Sequence, residues 1–211
     1  MTLFITFEGI EGCGKTTQLR HLAERLEAAG HAVLTTREPG GCPIADAVRG
    51  ILLDSANRDM APRTELLLYA AARAQHVEEV IRPALAAGRT VLCDRYCDAT
   101  LAYQGYGRGL DLELIAELNR IASGGLVPDL TLLLDFPAEK GLARARARNA
   151  GNDGPDEGRF EAESLAFHRR VRDGYLQLAA AHERFRLVDA RGERDEVARR
   201  VAGAVLPGED T

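Results

Sequence analysis

The 211-residue chain contains no apolar run near the roughly 18 residues that a membrane span requires. Its first residues, MTLFITFEG, carry neither a basic leader nor a small-residue cleavage site, so no targeting segment is expected. An excess of positive charge is also missing. The formal net charge is −5, which argues against a chain that coats nucleic acid. The four cysteines, Cys13, Cys42, Cys93 and Cys97, follow no metal-ligand or disulfide-framework spacing. Reduced thiols in a cytoplasmic protein are the expectation. No internal repeat occurs. No Ser-His-Asp or Cys-His constellation offers a general base. What remains is an ordinary globular composition, 45% hydrophobic and 28% charged, of a length that fits one domain with a sizeable core.

What is present is an alternation. Short apolar runs at Leu3–Phe7, Ala32–Thr36, Thr90–Cys93, Leu130–Phe136 and Phe185–Val188 read as strands buried on both faces, as in a parallel sheet. Helical patterns lie between them. One runs from Lys15 to Ala29, with Leu19, Leu22 and Leu26 on one face, and stops at Gly30. Others span about Thr64 to Ile81 before Pro83, about Asp111 to Ala122, and about Glu161 to His182. This gives a three-layer α/β domain over residues 1–211. One segment breaks the pattern. Asn149 to Gly158, NAGNDGPDEG, is glycine-rich and polar, and a flexible lid over about residues 144–160 is expected there.

The first strand feeds FEGIEGCGKTTQ. Within it Gly9, Ile10, Glu11, Gly12, Cys13, Gly14, Lys15 and Thr16 fit G-x-x-x-x-G-K-[ST], with Thr17 following. The glycines let backbone N–H groups turn toward phosphate oxygens, and the helix that leaves the loop adds its positive dipole. Lys15 can reach the terminal phosphates and Thr16 can offer its hydroxyl to Mg²⁺. Asp94 ends an apolar run, where α/β sheets place their ligands, and is the second magnesium candidate. An aspartate ending a strand can equally be structural. A chance glycine turn with an exposed lysine is the bland alternative for the loop, and the strand-loop-helix context argues against it. These features suit ATP or GTP; the guanine-reading N-K-x-D pattern of GTPases is absent, which disfavours that class.

The arginines suggest what receives the phosphate. Arg37 ends the second strand, Arg73 lies on the third helical stretch, and Arg95 follows Asp94. Arg144, Arg146 and Arg148 precede the polar loop and Arg159 follows it. Arginine suits bidentate phosphate contact. Arg144 and Arg148 share a helix face while Arg146 points roughly away. A solvated helix face is the competing reading for each. An acceptor that is itself a phosphate would explain so many cations and would need no base, because a monophosphate is already an anion near neutral pH. Tyr69 and Arg73, four apart, could stack on a base and donate to its carbonyl, although Tyr69 could also be core. The neighbouring face, Leu66, Ala70, Ala74, Val77 and Ile81, suits a core or a close helix–helix interface. Thr100, Tyr103 and Gln104 place hydroxyl, phenol and amide at helical spacing, able to read base and sugar edges. A guanine acceptor would want a carboxylate on the Tyr69 face, and none is there.

FEGIEGCGKTTQ, TREPGG, LLLYAAARAQH, DRYCDATLAYQG and the RARAR…GRFE lid together resemble thymidylate kinases, from about Leu3 to Ala190. The resemblance implies a P-loop kinase sheet of order 2-3-1-4-5. It implies transfer of the ATP γ-phosphate to dTMP with Mg²⁺, and a homodimer packed through the helix carrying Tyr69. It implies that Glu11 contacts the dTMP sugar, Arg37 and Arg95 lie near the acceptor phosphate, and Tyr69 stacks on thymine. Arg73 would bond a thymine carbonyl, Tyr103 would disfavour a 2′-hydroxyl, and Thr100 and Gln104 would line the base pocket. Gly12 stands where one branch carries a loop arginine, so the chain resembles the branch that works with lid arginines, with Arg148 and Arg159 preferred and Arg144 behind them. Cys42 and Ala99 replace the usual Thr and Ser, and no Asp directly precedes Arg159. Another nucleoside monophosphate kinase, or an ATP-holding switch protein without an acceptor, are the competing functions.

Overall fold

The computed structural model describes residues 2–150 and 158–206. Five strands form one parallel sheet in the order β2-β3-β1-β4-β5, as expected. They are β1 (Phe4–Glu8), β2 (Val33–Arg37), β3 (Thr90–Asp94), β4 (Leu130–Asp135) and β5 (Phe185–Asp189). β1 lies between β3 and β4, with Phe7 opposite Asp94 and Leu132. Alternate side chains of β1 serve two cores. Ile5 and Phe7 join a large cluster with Leu22, Leu26, Val171 and Val201, whereas Phe4 joins Val77, Ile81, Val91 and Cys93.

Continuous burial holds only for the inner strands. β1 is buried throughout, but β2 and β5 alternate or open to solvent, and Leu187 is exposed. The apolar runs were expected to be buried on both faces. The edge strands depart from that because each has one neighbour and incomplete helix cover.

Helix α1 (Lys15–Ala28) leaves the glycine loop, buries Leu19, Leu22 and Leu26, and ends at Gly30, whose φ is 84°. Two helices begin on proline at the first turn, α2 (Pro43–Leu53) and α3 (Pro62–His76), where the missing N–H costs nothing. The expected single helix to Ile81 is instead α3 followed by a π-helical turn, Val77–Ile81, and α4 (Arg82–Ala86). After β3 the chain forms α5 (Cys97–Thr100) and a wider π-helical run, Leu101–Gly107. Asp111 caps α6 (Leu112–Ser123) by accepting from the Leu114 N–H, and Ser164 caps α8 (Leu165–Ala181) in the same way at Phe167. α7 (Ala138–Ala150) carries the arginine trio. A capping box between Glu193 and Glu196 starts α9 (Arg194–Val205). The expected lid falls partly on residues 151–157, which lie outside the described residues.

Candidate active site

The cleft opens at the carboxyl ends of β1, β2 and β3 and encloses about 880 Å³, the size of a site for small ligands. Its loop wall is Glu11, Gly12, Lys15, Thr16 and Thr17, and its far wall includes Tyr69, Arg73, Tyr103 and Gln104. Gly12, at φ 68°, could not carry a side chain, because a Cβ there would stand 2.2 Å from the Gly141 carbonyl oxygen. Lys15 is nearly buried, and its Nζ donates to the carbonyls of Gly9 (3.1 Å) and Ile10 (2.9 Å). The Thr16 hydroxyl donates to Asp94 Oδ2 at 2.7 Å. Two hard oxygen ligands therefore stand side by side at the loop. No group of three or more His, Cys, Asp or Glu placed to hold a metal ion occurs among the described residues. That donor set fits a magnesium ion whose other ligands are water and phosphate.

Arg95 occupies the middle of the cleft. It is the single non-glycine residue at positive φ among those described (70°), a costly conformation that clusters at functional sites. Its Nη2 donates to Glu11 Oε1 (2.9 Å) and to the Tyr103 hydroxyl (2.9 Å), and its Nη1 donates to the Tyr175 hydroxyl (3.1 Å). Tyr103 in turn donates to Glu11 (2.5 Å) and Tyr175 to Glu8 Oε2 (2.7 Å). One guanidinium is thus held between two tyrosine–glutamate pairs. The two carboxyls titrate in opposite directions. Glu8 is pushed up to about 8, first by burial and then by the nearby Asp98 charge. Burial raises Glu11 too, but Arg95, the His168 contact and Lys15 outweigh it and hold the carboxyl well below the usual range.

At the far wall Arg73 is 2% exposed. Its Nε donates to Glu38 Oε2 (2.8 Å), Nη1 to Asn119 Oδ1 (2.7 Å), and Nη2 to the Tyr96 carbonyl and Thr100 Oγ1 (3.0 Å each). Four of five N–H groups are used, and the one left is on Nη1. Tyr69 is half-buried beside it; burial, then the Glu65 charge, raise its phenol so that it stays neutral.

Most expected residues meet at this cleft: Glu11, Gly12, Lys15, Thr16 and Thr17 of the loop, with Arg37, Tyr69, Arg73, Asp94, Arg95, Tyr103, Gln104 and Arg148, line it. Gly9, Ile10, Cys13 and Gly14 of the loop are not in its lining. Of the expected residues outside the loop, two stand behind the cleft. Thr100, expected in the base pocket, is buried and accepts from Arg73 instead. Arg159, expected among the catalytic cations, is buried and donates to the Leu52 carbonyl and to Glu65. Of the trio on α7, only Arg148 lines the cleft; Arg144 lies over the Phe136 ring, and Arg146 donates to the Glu161 carbonyl. The sequence reading missed Glu38, Arg49 and Phe160 in the wall, and Glu8 and Tyr175 behind Arg95. Pro43 and the Ile44, Val48, Ile51 spacing would have exposed α2, but nothing local marks Arg49 on it.

A phosphate loop facing a guanidinium-lined pocket across one cleft is an arrangement for passing a phosphate between two nucleotides. Fold and site together define a P-loop kinase. The family model described as thymidylate kinase matches residues 7–201. The chain belongs to the thymidylate kinase family. It is 65% identical to a thymidylate kinase of Syntrophotalea carbinolica over 95% of this chain and 94% of the relative. It is 63% identical to one of Citrifermentans bemidjiense over 97% and 92%. A crystal structure of thymidylate kinase from Ehrlichia chaffeensis superimposes with a TM-score of 0.78 at 32% identity, covering 97% of this chain and 98% of that one.

Proposed function

We propose that the chain transfers the γ-phosphate of ATP to dTMP, giving ADP and dTDP. The carrying observation is that the loop cation Lys15 and the pocket cations Arg37, Arg73 and Arg95 line one cleft. The loop amides and Lys15 hold the donor phosphates, and Thr16 and Asp94 would hold Mg²⁺, which supplies charge neutralisation between the phosphates when bound. Arg95 and Arg37 clamp the acceptor phosphate. Its oxygen is already anionic, so attack on the γ-phosphorus with departure of ADP needs positioning and charge neutralisation rather than a base. Arg148 is the lid-side cation, with Arg159 and Thr100 supporting the pocket from behind. Glu11 takes a sugar hydroxyl, Tyr103 lies against the deoxyribose, Tyr69 stacks on the base, and Arg73 spends its last N–H on a base carbonyl.

The test is ADP release with dTMP, dUMP, dCMP, dAMP, dGMP and UMP. We expect dTMP to be preferred, dUMP weaker and UMP nearly inert. Preferred turnover of another monophosphate would overturn the base-reading roles and leave the chemistry in place.

We also propose a homodimer through α3. Leu66, Val77 and Ile81 of the expected face are buried in the chain's own core. The outward row is instead Leu67, Ala70, Ala71 and Ala74. α3 packs between α2 and α6, which expose Ile44 and Ile51, and Leu114 and Ile121. Apolar rows on three neighbouring helices suit a second copy. Sedimentation should give a dimer that Leu67→Glu weakens; a monomeric parent protein would refute it. No helix among the described residues is long and apolar enough to cross a membrane, and all four cysteines are free. With them we propose a cytoplasmic setting, which cell fractionation would test.

A further inference from the structure

We infer that Glu65 is a positioning and specificity-determining residue, holding the Gln104 amide so that its oxygen stays available to the bound base. The inference rests on the proposed dTMP pocket and concerns a residue that does not line it. Glu65 sits in the first turn of α3, four residues before Tyr69 and so on its face, and is fully buried; the expectation that this face carries no carboxylate is thereby corrected. Gln104 Nε2 donates to its Oε1 at 2.7 Å. Arg108 donates to the same oxygen through Nε (3.2 Å) and to Oε2 through Nη2 (3.1 Å), and Arg159 Nη1 pairs with Oε2. Burial raises the Glu65 carboxyl, but these donors outweigh it and keep it ionised.

An ionised carboxylate only accepts hydrogen bonds. Gln104 must therefore turn its nitrogen toward Glu65. A flip would set amide oxygen against carboxylate oxygen inside a dry wall, where the two repel and the amide oxygen meets no donor, while Oε1 would keep only its Arg108 bond. Without Glu65 the two amide orientations differ little, and the wall could offer either a donor or an acceptor.

The orientation matters because of what the base presents. Thymine carries an N–H beside a carbonyl. Cytosine carries, at the same places, a bare acceptor nitrogen and an amino group. Arg73 has one N–H left for the carbonyl, and the Gln104 oxygen supplies the acceptor for the adjoining N–H. That donor–acceptor pair is complementary to thymine and opposes cytosine at both points. Glu65 also anchors Arg108 and Arg159, and Arg108 reaches Glu163. The same carboxylate thus ties the base wall to the segment bearing Phe160, which packs edge-on against Tyr103 at 5.5 Å.

The experiment measures kcat and KM for dTMP and for dCMP in Glu65→Gln, with the KM for ATP alongside. The expected result is a loss of kcat/KM on dTMP, carried mainly by KM. The dTMP to dCMP ratio should narrow by about tenfold, the consequence of one misdirected buried hydrogen bond. The KM for ATP should not change. An equal loss on both acceptors would mean that Glu65 is merely structural. Glu65→Gln strands two guanidinium groups, so Glu65→Asp, which keeps the charge and shortens its reach, is measured in parallel. If the glutamine variant does not fold, an unchanged ratio in the aspartate variant overturns the inference. Gln104→Leu separates the two layers of the argument. If it leaves the ratio unchanged, the base-reading role itself fails; if it narrows the ratio while the Glu65 variants do not, only the role of Glu65 fails.

Discussion

The two ends of the cleft hold their cations differently. At the phosphate end, apart from Arg95, which Glu11, Tyr103 and Tyr175 hold in place, the partners are ones that a ligand can replace. Lys15 rests on two carbonyls of its own loop, and Thr16 rests on Asp94. Arg37 pairs with Asp46 with more than half its side chain exposed, and Arg148 reaches Glu161 only at 3.4 Å. Such exposed pairs contribute little to stability. At the base end Arg73 and Glu65 are buried, each with four donor–acceptor contacts inside the protein. The difference follows the ligand. A phosphate arrives with its own charge and can take over the cations it meets. A neutral base cannot, so the groups that read it must be aligned beforehand.

Substitutions at the two ends should therefore fail in different ways. Lys15→Ala should cut turnover by about a hundredfold or more, the scale of losing one well-placed charge stabiliser. It should move stability by less than about 1 kcal/mol. Arg73→Ala should destabilise by about 3 kcal/mol or more, because Glu38 is left buried with a partner removed, and should weaken dTMP binding as well. Thermal or urea unfolding beside steady-state kinetics checks the pair. Comparable loss of stability in both variants would erase the contrast.

Glu8 lies at the junction, behind Arg95 through Tyr175, and tests the comparison more finely. Its carboxyl is raised to about 8, so the folded protein binds this proton more tightly than the unfolded chain. The associated stability is fully present below the ordinary carboxylate range and is lost as pH rises toward about 8. Between pH 6 and pH 7 the loss should be about 1 kcal/mol. Glu8→Gln cannot titrate and should flatten that slope in urea unfolding series. An unaltered slope would place the titration elsewhere.

The sequence was sufficient where function depends on spacing along the chain. Strand, glycine loop, lysine and helix are local, and so are the phosphate cradle and the shared face of Tyr69 and Arg73. Asp94 was legible because it ends an apolar run. The family followed from several such motifs read together, and the order of the sheet only from the resemblance they carry. What only the tertiary structure decided was which polar groups meet. Arg159 and Thr100 have the right chemistry for the cleft, yet they stand behind it, because buried partners elsewhere in the chain claim them. Gln104 and Arg108 reach Glu65 across 39 and 43 positions, and Tyr175 reaches Glu8 across 167. No periodicity encodes those pairings. A buried charge must find a counter-charge or a donor at about 3 Å, and which one it finds is settled when the helices pack.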